Sequence, residues 1–262
     1  MMAGGQPPLL LDLYPNAAAA YSLRKLRTAY SGSAIRVRRT SDNAEQNISF
    51  DSNGGLDTAS LSSFCSGTTG HITTWYDQTT NTKNLTQASA LLQPIIFIAG
   101  NTIVTNNKPA ITFNGTSNTL SNATFAMNQP STHILVMKNN ASVNSHIIDF
   151  DGSGGRQVDF MPSGIFSIFA GATLSSGVSV GTAQKLFFSI FNSISSLIRD
   201  NSTQVAAGNA GTQGVGSLRI GNNPVGNAQY YSGTLQEIIF YNSDQSSNAS
   251  GIETNIKTFY GI

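Results

Sequence analysis

The sequence is poor in charge. Asp, Glu, Lys and Arg make up 10% of its 262 residues, and 14 basic residues against 13 acidic ones leave a net charge of +1. Globular domains usually carry about 25% charged residues. A net charge this small excludes a protein that binds nucleic acid mainly through its overall positive charge. It also argues against disorder caused by charge repulsion. We therefore expect a folded chain with no nucleic-acid partner.

Cysteine and long apolar runs are scarce as well. Cys65 is the single cysteine, so no intramolecular disulfide can form, and we expect it to be a small buried apolar residue. The longest apolar runs, around 95–98 and 186–191, are strand-sized and fall far short of the roughly 18 residues of a membrane span. The opening residues show no basic segment and no apolar run long enough for a signal peptide. We expect no membrane partner and synthesis in a cytoplasm.

Motifs for cofactors are missing too. The chain has no P-loop and no dinucleotide-binding fingerprint. His71, His133 and His146 lack the spacing of zinc ligands, and the last two each begin a predicted strand, where we expect structural roles. The sequence therefore predicts no cofactor and no metal.

Small polar residues are abundant instead, with 33 Ser, 25 Thr, 25 Asn and 25 Gly. These residues favour turns and strands over long helices. From His71 onward, short apolar runs recur with turn residues between them, which is typical of antiparallel strands. The predicted strands are 71–76, 94–98, 110–113, 133–137, 146–150, 157–160, 165–169, 185–191, 195–200, 217–220 and 235–241. This pattern predicts an all-β, two-sheet antiparallel sandwich.

Helical patterns precede the β region. Pro15 suits a first helical turn, Ala17–Ala20 are strong helix formers, and Gly32 is a natural stop, which predicts an N-terminal helix. Asp57 is a good N-cap for a second, short helix.

The two ends of the chain carry their own signals. Residues 252–259 place apolar side chains on one helical face ahead of Gly261, which predicts a short C-terminal helix. Residues 1–14 are interpreted as an N-terminal arm, and residues 15–262 as one sandwich domain. The arm either packs on its own domain or docks on a partner through Leu9, Leu10, Leu11 and Leu13.

Six of the 14 basic residues fall within 24–39. Arg36 and Arg38 alternate with apolar residues on a predicted strand. The cluster is either an anion-binding patch or a solvated surface in which charges block aggregation between edges. Arg36 and Arg38 are our further candidates for docking on a partner.

Two stretches carry a resemblance to known families. YSLRKLRTAYSGSAIRVRRTSDNAEQNISF, followed by LDTASLSSFCSGTTGHITTWYDQTTNTKNLTQ, resembles the opening of the catalytic domain of fungal-type α-L-arabinofuranosidase B enzymes. The ending, LRIGNN and then YYSGTLQEIIFYNSDQSSNASGIETNIKTFYGI, is similar to concanavalin-like and laminin-G-like sandwiches. Both resemblances imply a jelly roll. The opening, with AAAAYSLRKL, also resembles proteins of tailed bacteriophages, in which such domains sit in virion parts.

The resemblance to the arabinofuranosidases implies a retaining glycosidase, which needs two carboxylates about 5–5.5 Å apart. Pro162 stands where the family has its nucleophilic Glu, and Asn222 stands where the family has its acid/base Asp. Ile147 and Ile148 stand near the place of the family's cysteine pair. These replacements predict a chain with no catalytic residues.

Other side chains suggest binding. Asp149-x-Asp151-Gly is either the start of a calcium loop or a turn between strands. Asp149, Asp151, Asp159 and Glu237 are the remaining candidates for an acid/base pair. Candidate glycan-binding residues are Tyr230, Tyr231, Asn222 and Asp151, because aromatic faces and amide or carboxylate groups suit sugar rings and hydroxyls.

Our leading interpretation is a non-enzymatic structural or decoration component of a tailed-phage virion, namely a capsid decoration, head fibre or tail-associated protein. It would contact other virion proteins and host-surface glycans, and form a homo-oligomer. The alternatives are an arabinofuranosidase-like glycoside hydrolase with displaced carboxylates, and a secreted lectin or adhesin module.

Overall fold

The computed structural model describes residues 8–141, 143–151, 156–214, 216–225 and 228–262, without the side chain of Asp151. Its helices are α1 (Leu10–Leu13), α2 (Thr58–Phe64) and α3 (Ala249–Tyr260). Its strands are β1 (Ala17–Ser22), β2 (Ile35–Arg39), β3 (Glu45–Ile48), β4 (Gly70–Trp75), β5 (Leu85–Thr86), β6 (Ile95–Ile98), β7 (Asn101–Thr102), β8 (Val104–Thr105), β9 (Lys108–Pro109), β10 (Ile111–Asn114), β11 (Leu120–Asn122), β12 (Ser131–Asn139), β13 (Ser145–Asp151), β14 (Val158–Met161), β15 (Ile165–Phe169), β16 (Thr173–Ser179), β17 (Gln184–Phe191), β18 (Ser196–Asp200), β19 (Thr203–Gly208), β20 (Ser217–Ile220) and β21 (Ser232–Tyr241).

The strands form two antiparallel layers. One layer, the helix-backed sheet, runs β19-β18-β17-β12-β21, and β1 and β10 share the far edge of β21. The other, the open sheet, runs β16-β15-β14-β13-β20-β11-β5-β4-β2-β3. Strand β6 pairs with both β10 and β4 and so joins the layers along one side. The predicted all-β jelly-roll sandwich is confirmed, and a helix lies near each end of the chain, α1 and α3.

The main core fills the space between the two sheets. Phe240 of the helix-backed sheet meets Phe125 at 5.4 Å and Phe150 of the open sheet at 5.3 Å between ring centroids. Trp75 is buried and lies 6.0 Å from the ring of Tyr21. These rings lie at tilted or edge-on angles, as aromatic pairs prefer.

A second apolar cluster covers the outer face of the helix-backed sheet. Ile252 and Ile256 of α3 pack there together with Leu10 and Leu11 of α1. Because both faces of this sheet are buried, its strands are continuous apolar runs such as KLFFSIF, without alternation. Leu10 and Leu11 of the predicted arm therefore pack on their own domain, whereas Leu13 is 48% exposed.

The helix predicted from Pro15 is wrong. Residues Ala17–Ser22 form β1, which pairs with β21 along its whole length. The alanines occur there because both faces of β1 are covered: Ala19 packs in the main core and Ala20 under the helices. Alanine ranks highest in helix propensity, but propensity is worth little free energy per residue, and tertiary packing overrides it here.

The other two predicted helices are present. The Asp57 carboxylate accepts from the Ser60 backbone N–H at 2.9 Å and caps α2. Helix α3 ends at Gly261, whose φ of 70° is left-handed. Within the described ranges, no helix is both long and apolar enough to cross a membrane.

Cys65 is buried, as expected, and burial raises the pKa of its thiol to about 11. Because the thiolate is the reactive form, we expect Cys65 to resist alkylation by iodoacetamide at pH 8 in the folded protein and to react rapidly in urea. Mass spectrometry of timed samples measures this. Labelling at equal rates in both conditions would contradict the buried position.

The basic residues of 24–39 do not form one patch. The Arg36 guanidinium pairs with Glu45 at the surface. Arg38 is buried and donates to Gln93 Oε1 at 2.7 Å and to Asn43 Oδ1 at 2.9 Å. Arg38 therefore has partners within its own domain. A docking role for these two arginines stays a prediction.

Candidate functional site

A β-bulge in β13 brings two titratable side chains together. His146 pairs with Phe160 of β14, but Ile148 pairs with the next residue, Asp159, so Ile147 is the extra residue. Both Ile147 and Ile148 point into the main core. Residues three apart normally face opposite sides of a strand. One extra residue between them, as in this bulge, places them on the same side. His146 and Asp149 therefore share the outer face of the open sheet, with His146 Nδ1 2.6 Å from Asp149 Oδ2.

Arg156, which lies before β14, completes this group. Its Nε donates to Asp149 Oδ1 at 2.7 Å, and its Nη2 donates to Asp149 Oδ2, so the guanidinium grips the carboxylate with two donors. The same Nη2 donates to Asn223 Oδ1 at 2.6 Å. Asp149 is fully buried beneath Arg156, which keeps a quarter of its side chain exposed. The hydrogen bonds and the positive charge of Arg156 thus replace the water that the buried Asp149 carboxylate loses.

The group lies at a shallow cleft of about 190 Å³ lined by His146, Arg156, Val158, Phe160, Phe169 and Thr173. The Phe160 ring lies 5.4 Å from the His146 ring and forms an apolar wall. The cleft therefore combines an apolar surface with a few polar groups, as carbohydrate and other small-molecule sites do.

The geometry prepares His146 for proton transfer. Asp149 faces Nδ1, while Nε2 makes no hydrogen bond within the described part of the chain. Arg156 Nη2 also lies 3.4 Å from Nδ1. The tautomer in which Nδ1 donates to Asp149 is the one in which Nε2 presents its lone pair. His146 can then take a proton from a water at the cleft.

Two other candidate carboxylates, Asp159 and Glu237, are buried and bind partners inside the fold. Asp159 Oδ2 lies 2.5 Å from His133 Nδ1, and both side chains are buried between the sheets. Glu237 is buried on the opposite sheet, where it accepts from Arg24 and Ser22. Neither lines the cleft. Among the described residues, no group of three or more His, Cys, Asp and Glu could hold a metal ion.

The predicted glycan-binding residues are not brought together as a surface. Tyr231 is buried, and its hydroxyl donates to Lys138 O at 2.8 Å, so it cannot form an exposed platform; Tyr230 is half-buried. Asn222 is buried beside Asn223, next to the Arg156 network. Asp151 ends β13, but its side chain lies outside the described residues, as does the 152–155 segment of the calcium-loop hypothesis.

Sequence reasoning assigned His146 a structural role and overlooked Arg156. The spacing His-x-x-Asp on a predicted strand indicated opposite faces, and only the bulge reverses this. Pro162 lies in the turn between β14 and β15, at the position that the resemblance gives to the nucleophile.

The first part of the chain matches a family of carbohydrate-active enzymes. Residues 12–116 match the family model described as Alpha-L-arabinofuranosidase B, catalytic. Over 75 residues the chain is 45% identical to a probable alpha-L-arabinofuranosidase B of Aspergillus terreus, and over 74 residues it is 43% identical to an alpha-L-arabinofuranosidase of Hypocrea jecorina. Each alignment takes in 28% of this chain and only 15% of the relative. These matches support a relationship to that family.

Solved structures extend the likeness to the whole fold. A GH54 arabinofuranosidase soaked with a cyclic sulfate inhibitor superimposes with a TM-score of 0.73 at 17% identity, covering 94% of this chain and 64% of that one. An arabinofuranosidase complexed with arabinofuranosyl-alpha-1,2-xylobiose gives a TM-score of 0.72 at 18% identity. At such identities the likeness shows a shared fold.

The prediction of a non-enzymatic virion protein is wrong. The family model describes the catalytic domain of alpha-L-arabinofuranosidase B, and the curated relatives are alpha-L-arabinofuranosidases, which agrees with the alternative interpretation of the sequence. The residues Pro162 and Asn222 argue against the family's two-carboxylate mechanism, but they do not exclude a different mechanism. The expected virion location and virion-protein partners stay predictions.

Proposed function

We propose that this chain is a glycoside hydrolase domain that releases α-L-arabinofuranosyl groups, and that the cleft of His146, Asp149 and Arg156 is its reactive site. The observation that carries this proposal is the fixed His146–Asp149 pair at the edge of a cleft. The matching family model, the curated relatives and the shared fold supply the substrate class.

The chemistry differs from that implied by the family resemblance. A retaining enzyme needs a carboxylate nucleophile, and neither Pro162 nor Asn222 can supply one. We infer a single displacement, in which Nε2 of His146 takes a proton from water as the water oxygen bonds to the anomeric carbon. The departing oxygen lies on the opposite face of the sugar and takes a proton from solvent, and His146 returns its proton to solvent. Water is thereby added across the glycosidic bond, and the configuration at the anomeric carbon is inverted.

The proposal is tested with the full chain and 4-nitrophenyl α-L-arabinofuranoside. We expect release of nitrophenol, and NMR spectra taken in the first minutes should show β-L-arabinofuranose as the first product. First appearance of the α anomer would contradict the single displacement. Absence of turnover on a panel of pentosides, or sugar binding without release, would overturn the hydrolase assignment.

A further inference from the structure

A polar cavity of about 510 Å³ lies away from the His146 cleft. It is lined by the start of β1, the 79–83 turn and Asn242 after β21. It shares no lining residue with the cleft. It therefore needs an explanation of its own.

Buried Asp77 lies behind the turn that lines one side of this cavity. Its carboxylate accepts from the backbone N–H groups of Ala20, Thr79 and Lys83 at 2.9, 2.9 and 3.0 Å, and from the Thr79 hydroxyl at 2.8 Å. Four donors hold the 77–83 turn against β1. The Asp77 carboxylate therefore points away from the cavity, and its oxygens are occupied by these hydrogen bonds. They fix the backbone of the turn that lines the cavity.

Two cations line the cavity and no acidic side chain does. The Nε of Arg27 is buried and has no hydrogen-bond partner within the described residues, and Arg27 forms no ion pair there. Lys83 donates to the Thr124 carbonyl at 3.3 Å and lies 4.9 Å from the Phe125 ring. An anionic ligand in the cavity would supply the Arg27 guanidinium with the counter-charge that the described residues do not provide.

Neutral hydrogen-bonding groups surround this charge. The side chains of Asn16 and Thr80 line the cavity and make no hydrogen bond within the described chain. Asn81 is fixed by donating its amide to Ala18 O at 3.0 Å. The cavity therefore offers amides and hydroxyls beside a guanidinium, and two of these side chains have hydrogen-bonding groups free for a ligand.

We propose that this cavity, defined by Arg27, Lys83, Asn16 and Thr80, binds a carboxylated sugar, that is, a uronic acid residue. A planar carboxylate matches the donor geometry of a guanidinium. The amide and hydroxyl groups match the ring hydroxyls of the same ligand. This site is independent of hydrolysis at His146.

Isothermal titration calorimetry of the full chain tests the proposal with D-glucuronate and D-galacturonate. D-glucose, D-galactose and inorganic phosphate serve as comparison ligands. We expect the uronates to bind at least tenfold more tightly than the neutral sugars and phosphate. Uronate binding should shift the NMR signals of the 79–83 amides. Because the readout is binding, it can succeed or fail separately from the hydrolase proposal.

Two arginine variants sharpen the test. Arg27→Gln should weaken uronate binding at least tenfold, and Arg36→Gln, which removes a surface guanidinium elsewhere, should leave it unchanged. Circular dichroism and thermal melts check that both variants fold. Equal binding of neutral sugars, equal binding of phosphate, no binding at all, or the same loss in both variants would overturn the proposal.

Discussion

Glu237→Ala should lower the free energy of unfolding by about 3–5 kcal/mol, because it leaves the buried Arg24 guanidinium without its counter-charge. Arg24 donates to Glu237 through Nε at 2.7 Å and through Nη2 at 2.9 Å. The Ser22 hydroxyl at 2.7 Å and the Tyr260 hydroxyl at 3.2 Å complete the carboxylate's partners. This network ties β1, β21 and α3 together, so its loss should loosen α3 from the sheet.

Urea unfolding followed by tryptophan fluorescence measures the loss. Glu45→Ala is the matched control, because it also removes a carboxylate from an arginine, but the Arg36–Glu45 pair is exposed and is expected to contribute much less. Equal losses in the two variants would show that the buried network contributes no more than a surface pair. A double variant in which Arg24 and Glu237 become apolar should recover part of the stability.

His146→Ala should reduce the hydrolysis of an arabinofuranoside by a factor of about 10² to 10⁴, the usual contribution of a positioned acid or base. The loss should lie in kcat, since His146 moves the proton and Phe160 supplies the apolar wall for binding. Asp149→Asn should also lower kcat, because the amide cannot fix the tautomer of His146 as the carboxylate does.

His71→Ala is the control for this experiment. His71 lies on β4 and contacts Thr40 and Gln93. It does not line the cleft, so its loss should leave kcat unchanged. Imidazole added to the His146→Ala enzyme should restore part of the rate if proton transfer is the missing step. A rate unchanged in His146→Ala would place the chemistry elsewhere.

The architecture was largely predictable from local sequence. Each predicted strand from 71–76 to 235–241 is present, because its apolar run is the part that a sheet buries. Shorter or more polar strands such as β3 and β16 have no apolar run and were not predicted. Strand β1 was misassigned because alanines suit two covered faces and also imitate a helix. Only the surrounding structure distinguishes those two uses of the same residues.

The candidate site was much less predictable. Arg156 and Asn223 are 67 residues apart, and nothing local pairs them. His146 and Asp149 were each visible, but their spacing indicated opposite faces of a strand. Tyr231 illustrates the reverse error, because a tyrosine next to a turn suggested exposure, whereas its hydroxyl is satisfied by carbonyls inside the fold.

Because of the bulge at Ile147, the proposed site depends on the number of residues between His146 and Asp149 as well as on which residues they are. A substitution scan changes side chains one at a time and leaves the strand register intact, so it would report Ile147 as an ordinary core position. Removing that one residue would rotate His146 away from Asp149 while keeping every functional side chain in the chain. Searches for related sites should therefore allow a one-residue gap in this strand, since a gap-free pattern separates the histidine from its carboxylate.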